Sequence, residues 1–329
     1  GEAFIQYEPD TNAVTFMDRV VRGDLSFVKK NSDTDEALAY IPFRITNNTT
    51  GETHYILTDA NGNFNSAAGK TTNTNANDAV LSQYGDKDVI PQSVVDSLAK
   101  DAGLWFGMGS EGTMTSANDS YGAFVYGTYT ITELKTEATR SMKMYTSTFT
   151  IDTDGKVLDL GTVNNVPMRI KTTLVDVNGE HFTEATSTVT LTDHVAYKNL
   201  DTDKTYTLTG TLYVKDGDAL TEMMTETVDF QPTETSGTQD VTFTFDASEL
   251  VGKSVVAFEE LSVNGEFCAE HKDKDDENQT VTFPGIQTTA RDNVTEDHVS
   301  NATDSITIVD TVAYTGLKKG DTYTVTGTL

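Results

Sequence analysis

The sequence predicts an all-β protein made of tandem antiparallel β-sandwich domains, with an irregular, short-helical insertion in the first. Three observations predict it. Segments rich in Val, Thr, Tyr and Phe alternate with polar residues at the strand period, as in DLSFVKKN and TSTVTLTDHVAY. Turn-forming clusters such as DANGN, KDGD and TSGT interrupt them at short intervals. Text from the second half also returns about 117 positions later (Leu212 to Leu329), the period of a domain rather than of a solenoid.

Composition narrows the function. The 329 residues suffice for two or three separate cores. With 51 acidic against 23 basic residues the net charge is -28, which argues against nucleic acid or an anionic membrane surface as partner, since both are polyanions. There is no apolar run long enough to span a bilayer and no signal peptide. The chain starts at Gly1 rather than Met and stops in mid-repeat, so we expect a piece of a longer protein. The single cysteine, Cys268, precludes an intrachain disulfide; beside Phe267 it reads as a small buried residue. No metal or cofactor is expected: DTDGKVLD and HKDKDDENQ are acidic but do not reproduce a calcium loop, and read as solvated turns.

Residues 1–22 read as a strand and linker from a preceding region. The first domain spans 23–166. Leu25, Phe27 and Lys29 share one strand face, and the chain then turns through NSDTD. An insertion over about 65–120 breaks the strand rhythm. It opens with SAAGKTTNTNAND and continues with a short helical pattern, PQSVVDSLAKDAG, in which Pro91 suits a first turn. LWFGMG follows, whose Trp105 and Phe106 read as domain packing, with a ligand-binding patch as the alternative. Strands resume with YGAFVYGTYTITELKT and end at GTVNN.

The repeat begins with VPMRIKTTLVD and TSTVTLTDHVAY and returns as FPGIQTTARD and DSITIVDTVAY. Thr172 matches Thr288, Asp193 matches Asp310, and Tyr197 matches Tyr314. One complete copy therefore occupies 167–284, and 285–329 carries the N-terminal part of another. Within the complete copy, VVAFE reads as an apolar strand ending at Glu259. An acidic loop leads from it to His271, and a second strand carries Gln279. A threonine hydroxyl is a weak nucleophile that needs a positioned base, for which His is the usual choice. A carboxamide is a poor electrophile whose oxygen must be stabilised as charge develops. Two carboxyls close together in an apolar site cannot both ionise easily, so one keeps a proton to donate.

Two resemblances give these residues roles. DLSFVKKNSDTDEALAYIPFRI, GTYTITE and GTVNN resemble the lysine, glutamate and asparagine strands of CnaB-type (SpaA-like) pilin and adhesin domains, which have an Ig-like sandwich fold. That likeness implies an isopeptide bond between Lys29 and Asn165 with Glu133 as the catalytic carboxyl. Asn164 and Lys30 are the neighbouring alternatives; Asn165 shares the strand face of Val163. The repeat resembles the VaFE-type ester-bond-forming domains of Gram-positive surface proteins, on ITT, TDHVAY, VVAFEE and the spacing of His271 to Gln279. It implies an ester between Thr172 and Gln279, with His271 as base, Asp193 and Glu259 as the acid pair, and Asp276 orienting the histidine. Thr288 and Asp310 would serve the incomplete repeat, whose other partners lie beyond Leu329.

The function implied is a stalk segment of a bacterial cell-surface adhesin or pilus-like protein. It would be extracellular, monomeric, and anchored to the cell wall through a region outside this chain. Its partners would be neighbouring domains of the same protein. It would catalyse no turnover beyond its own cross-links. A second reading is an adhesin module whose insertion binds a host protein or glycan; a third is a hydrolase using His271 with Asp193 or Glu259.

Overall fold

In a computed structural model of the chain, the backbone is described over residues 3–7, 14–18, 20–67, 75–107 and 121–328. The expected insertion therefore lies partly outside the described residues, at 68–74 and 108–120. The protein is mostly β and divides into two compact units, Gly1–Pro167 and Met168–Leu329.

In the first unit β1 (Ala3–Tyr7) and β2 (Val14–Asp18) form an antiparallel pair. There follow β3 (Arg22–Asn31), β4 (Pro42–Asn47), β5 (Thr53–Leu57) and β6 (Asn63–Asn65). Two short helices come next, α1 (Asp78–Leu81) and α2 (Gln92–Ser97). The unit closes with β7 (Phe124–Val125), β8 (Gly127–Glu133), β9 (Met142–Lys143), β10 (Thr146–Ile151) and β11 (Val157–Pro167). One sheet has the order β10-β8-β4-β5, the other β6-β3-β11-β9 with β7 also on β3. Leu25, Phe27, Phe43, Ile45, Tyr129, Ile131 and Val163 fill the space between them. Each such fully buried side chain contributes about 1.5–3 kcal/mol relative to exposure.

Two expectations change. The first and last strands, β3 and β11, pair in parallel rather than antiparallel, with Lys29 beside Val163; a parallel pair needs a long crossover, which the rest of the domain supplies. DANGN turns the chain between strands as expected, from β5 in one sheet to β6 in the other, with Asp59 accepting from the amides of Asn61 and Asn63. In the insertion, Pro91 stands at the N-cap of α2 in extended conformation rather than in the first turn. Leu81, Ile90, Val95 and Leu98 give the insertion a small core of its own against Leu57 and Leu134. Trp105 and Phe106 are fully buried. The Arg22 guanidinium lies 3.8 Å over the Trp105 ring and donates to the carbonyls of Phe106, Gly122 and Ala123.

The second unit starts with β12 (Arg169–Lys171), β13 (Leu174–Asp176), β14 (Val189–Lys198) and β15 (Tyr206–Asp216). It continues with β16 (Ala219–Phe230), β17 (Ser236–Phe245), β18 (Ser254–Val263), β19 (Glu266–His271) and β20 (Thr280–Thr282). One sheet joins β12, β13 and β17 to β14; the other has the order β16-β15-β18-β19, with β20 also on β18. Leu174, Leu191, Leu208, Phe243, Val255, Leu261 and Phe283 pack between them. Cys268 is buried in this core. A hairpin of β21 (Gly285–Asp292) and β22 (Ile308–Thr315) follows.

Candidate cross-linking sites

The first site is built on strand alternation. Lys29 is an inward residue of β3 and fully buried. Its Nζ lies 5.7 Å from the ring centre of Phe43 and 5.6 Å from that of Tyr145. Glu133 ends β8, where its main-chain amide donates to Tyr145 and its side chain accepts from the Tyr145 amide at 3.2 Å. Asn165 projects inward from β11, and the exposed Asn164 points the other way, beside Lys30. Lys30 is itself paired with Asp35 at 3.0 Å.

The three buried side chains form a closed triangle. Lys29 Nζ is 2.8 Å from Glu133 Oε2 and donates to Asn165 Oδ1 at 2.5 Å. Asn165 Nδ2 donates to Glu133 Oε1 at 2.6 Å. Burial lowers the pKa of Lys29, opposed by Glu133. Burial raises that of Glu133, opposed chiefly by Lys29. Both shifts favour the neutral amine and the protonated acid, the forms needed for attack on an amide.

The second site draws on both sheets of its sandwich. Thr172 falls in the gap between β12 and β13 and is fully buried; the next residue, Thr173, exchanges backbone hydrogen bonds with His194. Thr172 Oγ1 lies 3.2 Å from His271 Nδ1. His271 ends β19, directly across from Glu259 on β18. Its Nε2 faces Asp276 Oδ2 at 3.7 Å. Burial lowers the His271 pKa, although Asp276 and Asp273 oppose it, so the ring is neutral at pH 7. With the Nε2 proton turned to Asp276, Nδ1 is free to accept from Thr172.

Gln279 is fully buried, and three backbone groups hold its carboxamide. Nε2 donates to the carbonyls of Ala257 at 2.8 Å and His271 at 3.1 Å, and Oε1 accepts from the Asp273 amide at 3.2 Å. Asp193 from β14 and Glu259 from β18 meet in the core, both fully buried. Burial pushes Asp193 up to about 6, moderated by Glu259, the Thr173 amide and the Thr172 hydroxyl. Burial and then the Asp193 charge push Glu259 up to about 10.

Two placements correct the sequence reading. Glu259 lies within β18 rather than at its end, because Leu261 resumes the inward alternation and the strand runs on to Val263. Gln279 ends a 3-10 turn, Glu277–Gln279, immediately before β20, because Asp276 caps that turn by accepting from the Asn278 amide. Thr288 and Asp310 are exposed on the β21–β22 hairpin. There Ala290 stands opposite Asp310, the same register as Leu174 opposite Asp193. The Asp273 amide and the Ala257 carbonyl escaped the sequence reading, since a backbone group leaves no mark in residue identity. Among the described residues no cluster of three or more His, Cys, Asp or Glu could hold a metal ion, and no helix is long and apolar enough to cross a membrane.

Comparison with known proteins bears on the second unit. Residues 168–283 and again 284–329 match the T-Q ester bond containing domain. No curated protein matches the chain. Among solved structures it is similar to a bacterial adhesin from Mobiluncus mulieris containing intramolecular disulfide, isopeptide and ester bond cross-links. The identity there is 13%, the TM-score 0.34, and the match covers 45% of this chain and 76% of that one. It is also similar to the full-length major pilin SpaD of Corynebacterium diphtheriae, at 11% identity and TM-score 0.39, covering 82% and 67% of the two chains. A third is BcpA, the major pilin subunit of Bacillus cereus, at 14% identity and TM-score 0.34, covering 88% and 84%. The family match thus covers residues 168–329, one complete copy of the T-Q ester bond containing domain and the start of a second.

Proposed function

We propose that this chain is a structural stalk segment of a bacterial surface adhesin, fastened by two cross-links that it makes in itself. The observation that carries this reading is that the Thr172 hydroxyl and the Gln279 carboxamide both engage His271, in a buried site that also holds two carboxyls. In the first unit, Lys29 Nζ attacks Asn165 Cγ. The new C–N bond replaces the bond to Nδ2, Glu133 relays the amine proton to the leaving nitrogen, and ammonia departs. In the second, His271 takes the Thr172 proton as Oγ1 attacks Gln279 Cδ. The Asp273 amide donates to the developing oxyanion. His271 then returns the proton to Nε2, ammonia leaves, and a Thr–Gln ester remains. The protonated acid pair beside Thr172 adds a donor without adding a second negative charge.

Each reaction runs once, and its substrate is the domain itself, so the protein is not a turnover enzyme in this reading. A disulfide-free chain outside the cell would gain its durability from these bonds. The segment would act as a monomer on the cell surface, with neighbouring domains of the same protein as its partners. Intact-mass measurement of denatured protein tests the proposal: the mass should fall short of the sequence mass by two ammonia molecules. An unchanged mass would overturn it.

A further inference from the structure

One inward position of β15 is empty of side chain. Tyr206, Leu208 and Leu212 all face the core from this strand, and Gly210 stands buried among them. Glycine weakens a strand interior, so its presence there calls for a local cause. Backbone conformation does not supply one: Gly210 is absent from the residues with positive φ and keeps its place in the β15 ladder. Its surroundings do. A Cβ at this position would lie 2.5 Å from Glu259 Oε1, 2.8 Å from Glu259 Oε2 and 2.8 Å from Phe243 Cζ. Gly210 is also the cross-strand partner of Glu259, so the carboxyl lies over its own neighbour in the ladder. The space of the missing side chain is occupied by the Glu259 carboxyl, with the buried Phe243 ring as its other wall.

We propose that Gly210 is a positioning residue for ester formation: it leaves the slot in which the Glu259 carboxyl reaches Asp193. This rests on the ester reading given above. A methyl at 210 would meet the end of the Glu259 side chain and, at 2.8 Å, Cζ of the buried Phe243 ring. The carboxyl is the more readily displaced of the two, and its swing takes it off Asp193 and so spoils the pair. The repeat carries the same glycine: TLTGTL at 207–212 returns as TVTGTL at 324–329, with Gly327 in the place of Gly210.

The test compares wild type with Gly210→Ala, Glu259→Asp and the double variant Gly210→Ala/Glu259→Asp. Ester formation is followed by intact mass after refolding, across a range of pH. Gly210→Ala should slow the second ammonia loss by roughly tenfold to a hundredfold, the scale on which a small misplacement acts. The alkaline limit of its rate should move to lower pH, because a carboxyl displaced from Asp193 gives up its proton sooner. The loss of ammonia from the first unit should be unaffected. Shortening the acid by one methylene vacates the slot, so the double variant should form the ester faster than Gly210→Ala. A wild-type rate and alkaline limit in Gly210→Ala would overturn the inference. So would a double variant no faster than Gly210→Ala, which would point to damage to the fold. Failure of the wild type itself to lose the second ammonia would instead bring down the ester reading, and this inference with it.

Discussion

Asp193 and Glu259 face each other across the two sheets of one sandwich, both fully buried. Two ionised carboxylates cannot share such a place, so the pair holds a proton between them. Its first proton leaves near the value of Asp193, about 6, and its last near that of Glu259, about 10. Between those limits one carboxyl is a donor and the other an acceptor.

Ester formation should therefore follow a bell-shaped pH profile. At low pH His271 is protonated and cannot take the Thr172 proton; burial lowers its pKa, so this limb lies below the ordinary histidine value of 6.5. At high pH the rate should fall as the acid pair loses its last proton near 10. Time-resolved mass spectrometry during refolding measures this. In Glu259→Gln, which keeps a donor that cannot ionise, the alkaline limb should vanish; a profile flat from acid to alkali would contradict the scheme.

Thr172→Ala yields an uncross-linked second unit whose stability should drop as pH rises. The folded pKa values of Asp193 and Glu259 lie above their ordinary values of 3.8 and 4.5. The unfolded chain therefore gives up these protons first. The contribution is complete below about pH 4 and is lost as pH rises through about 6 and then about 10. Urea midpoints at mildly acid and mildly alkaline pH report it, with the lower midpoint expected on the alkaline side. Asp193→Asn in the same background should flatten the trend.

Gln279→Ala should destabilise the second unit at every pH. The ester closes a loop of 107 residues (279 minus 172). By analogy with disulfides, that constraint amounts to about 4–5 kcal/mol. Denaturant midpoints of wild type and variant give the difference, and coincident midpoints would mean that the bond adds nothing.

Glu133→Ala should abolish the first cross-link and leave the buried Lys29 amine without its Glu133 partner. Leaving a buried polar group unsatisfied costs about 1–3 kcal/mol, beyond the loss of the cross-link itself. The deficit from the variant's own sequence mass should shrink from two ammonia molecules to one, and the thermal transition of the first unit should fall. Asn164→Ala should change neither bond, since Asn164 faces outward. A lost ammonia deficit in Asn164→Ala would reassign the acceptor.

Strand parity made much of the site legible. Lys29 follows Leu25 and Phe27 on one face of β3, and Asn165 follows Val163 on β11, so alternation alone separates Asn165 from Asn164. The resemblance to ester-bond-forming domains picked out Thr172 and Asp193, and the internal repeat matched them to Thr288 and Asp310. Long-range placement was beyond such reasoning. Nothing local in VVAFEE announces that β18 continues to Val263, or that Gln279 closes a turn capped by Asp276. Nor does LWFGMG show that Arg22, some eighty positions upstream, lies against Trp105. These depend on which surfaces meet after folding, and periodicity carries no record of that.

The placement of the paired residues near the ends of their domains determines how tension would travel along the chain. With both bonds formed, a pull entering at Lys29 crosses to Asn165, runs seven positions to Thr172, and crosses again to Gln279. Nine further positions lead to Thr288. Those two bridging stretches, about 25 Å and about 30 Å at full extension, are the only backbone on the route. The sandwiches hang beside it as slack that is never drawn out. Stretched between a cell and its anchorage, such a segment would behave as a short tether and not as a spring.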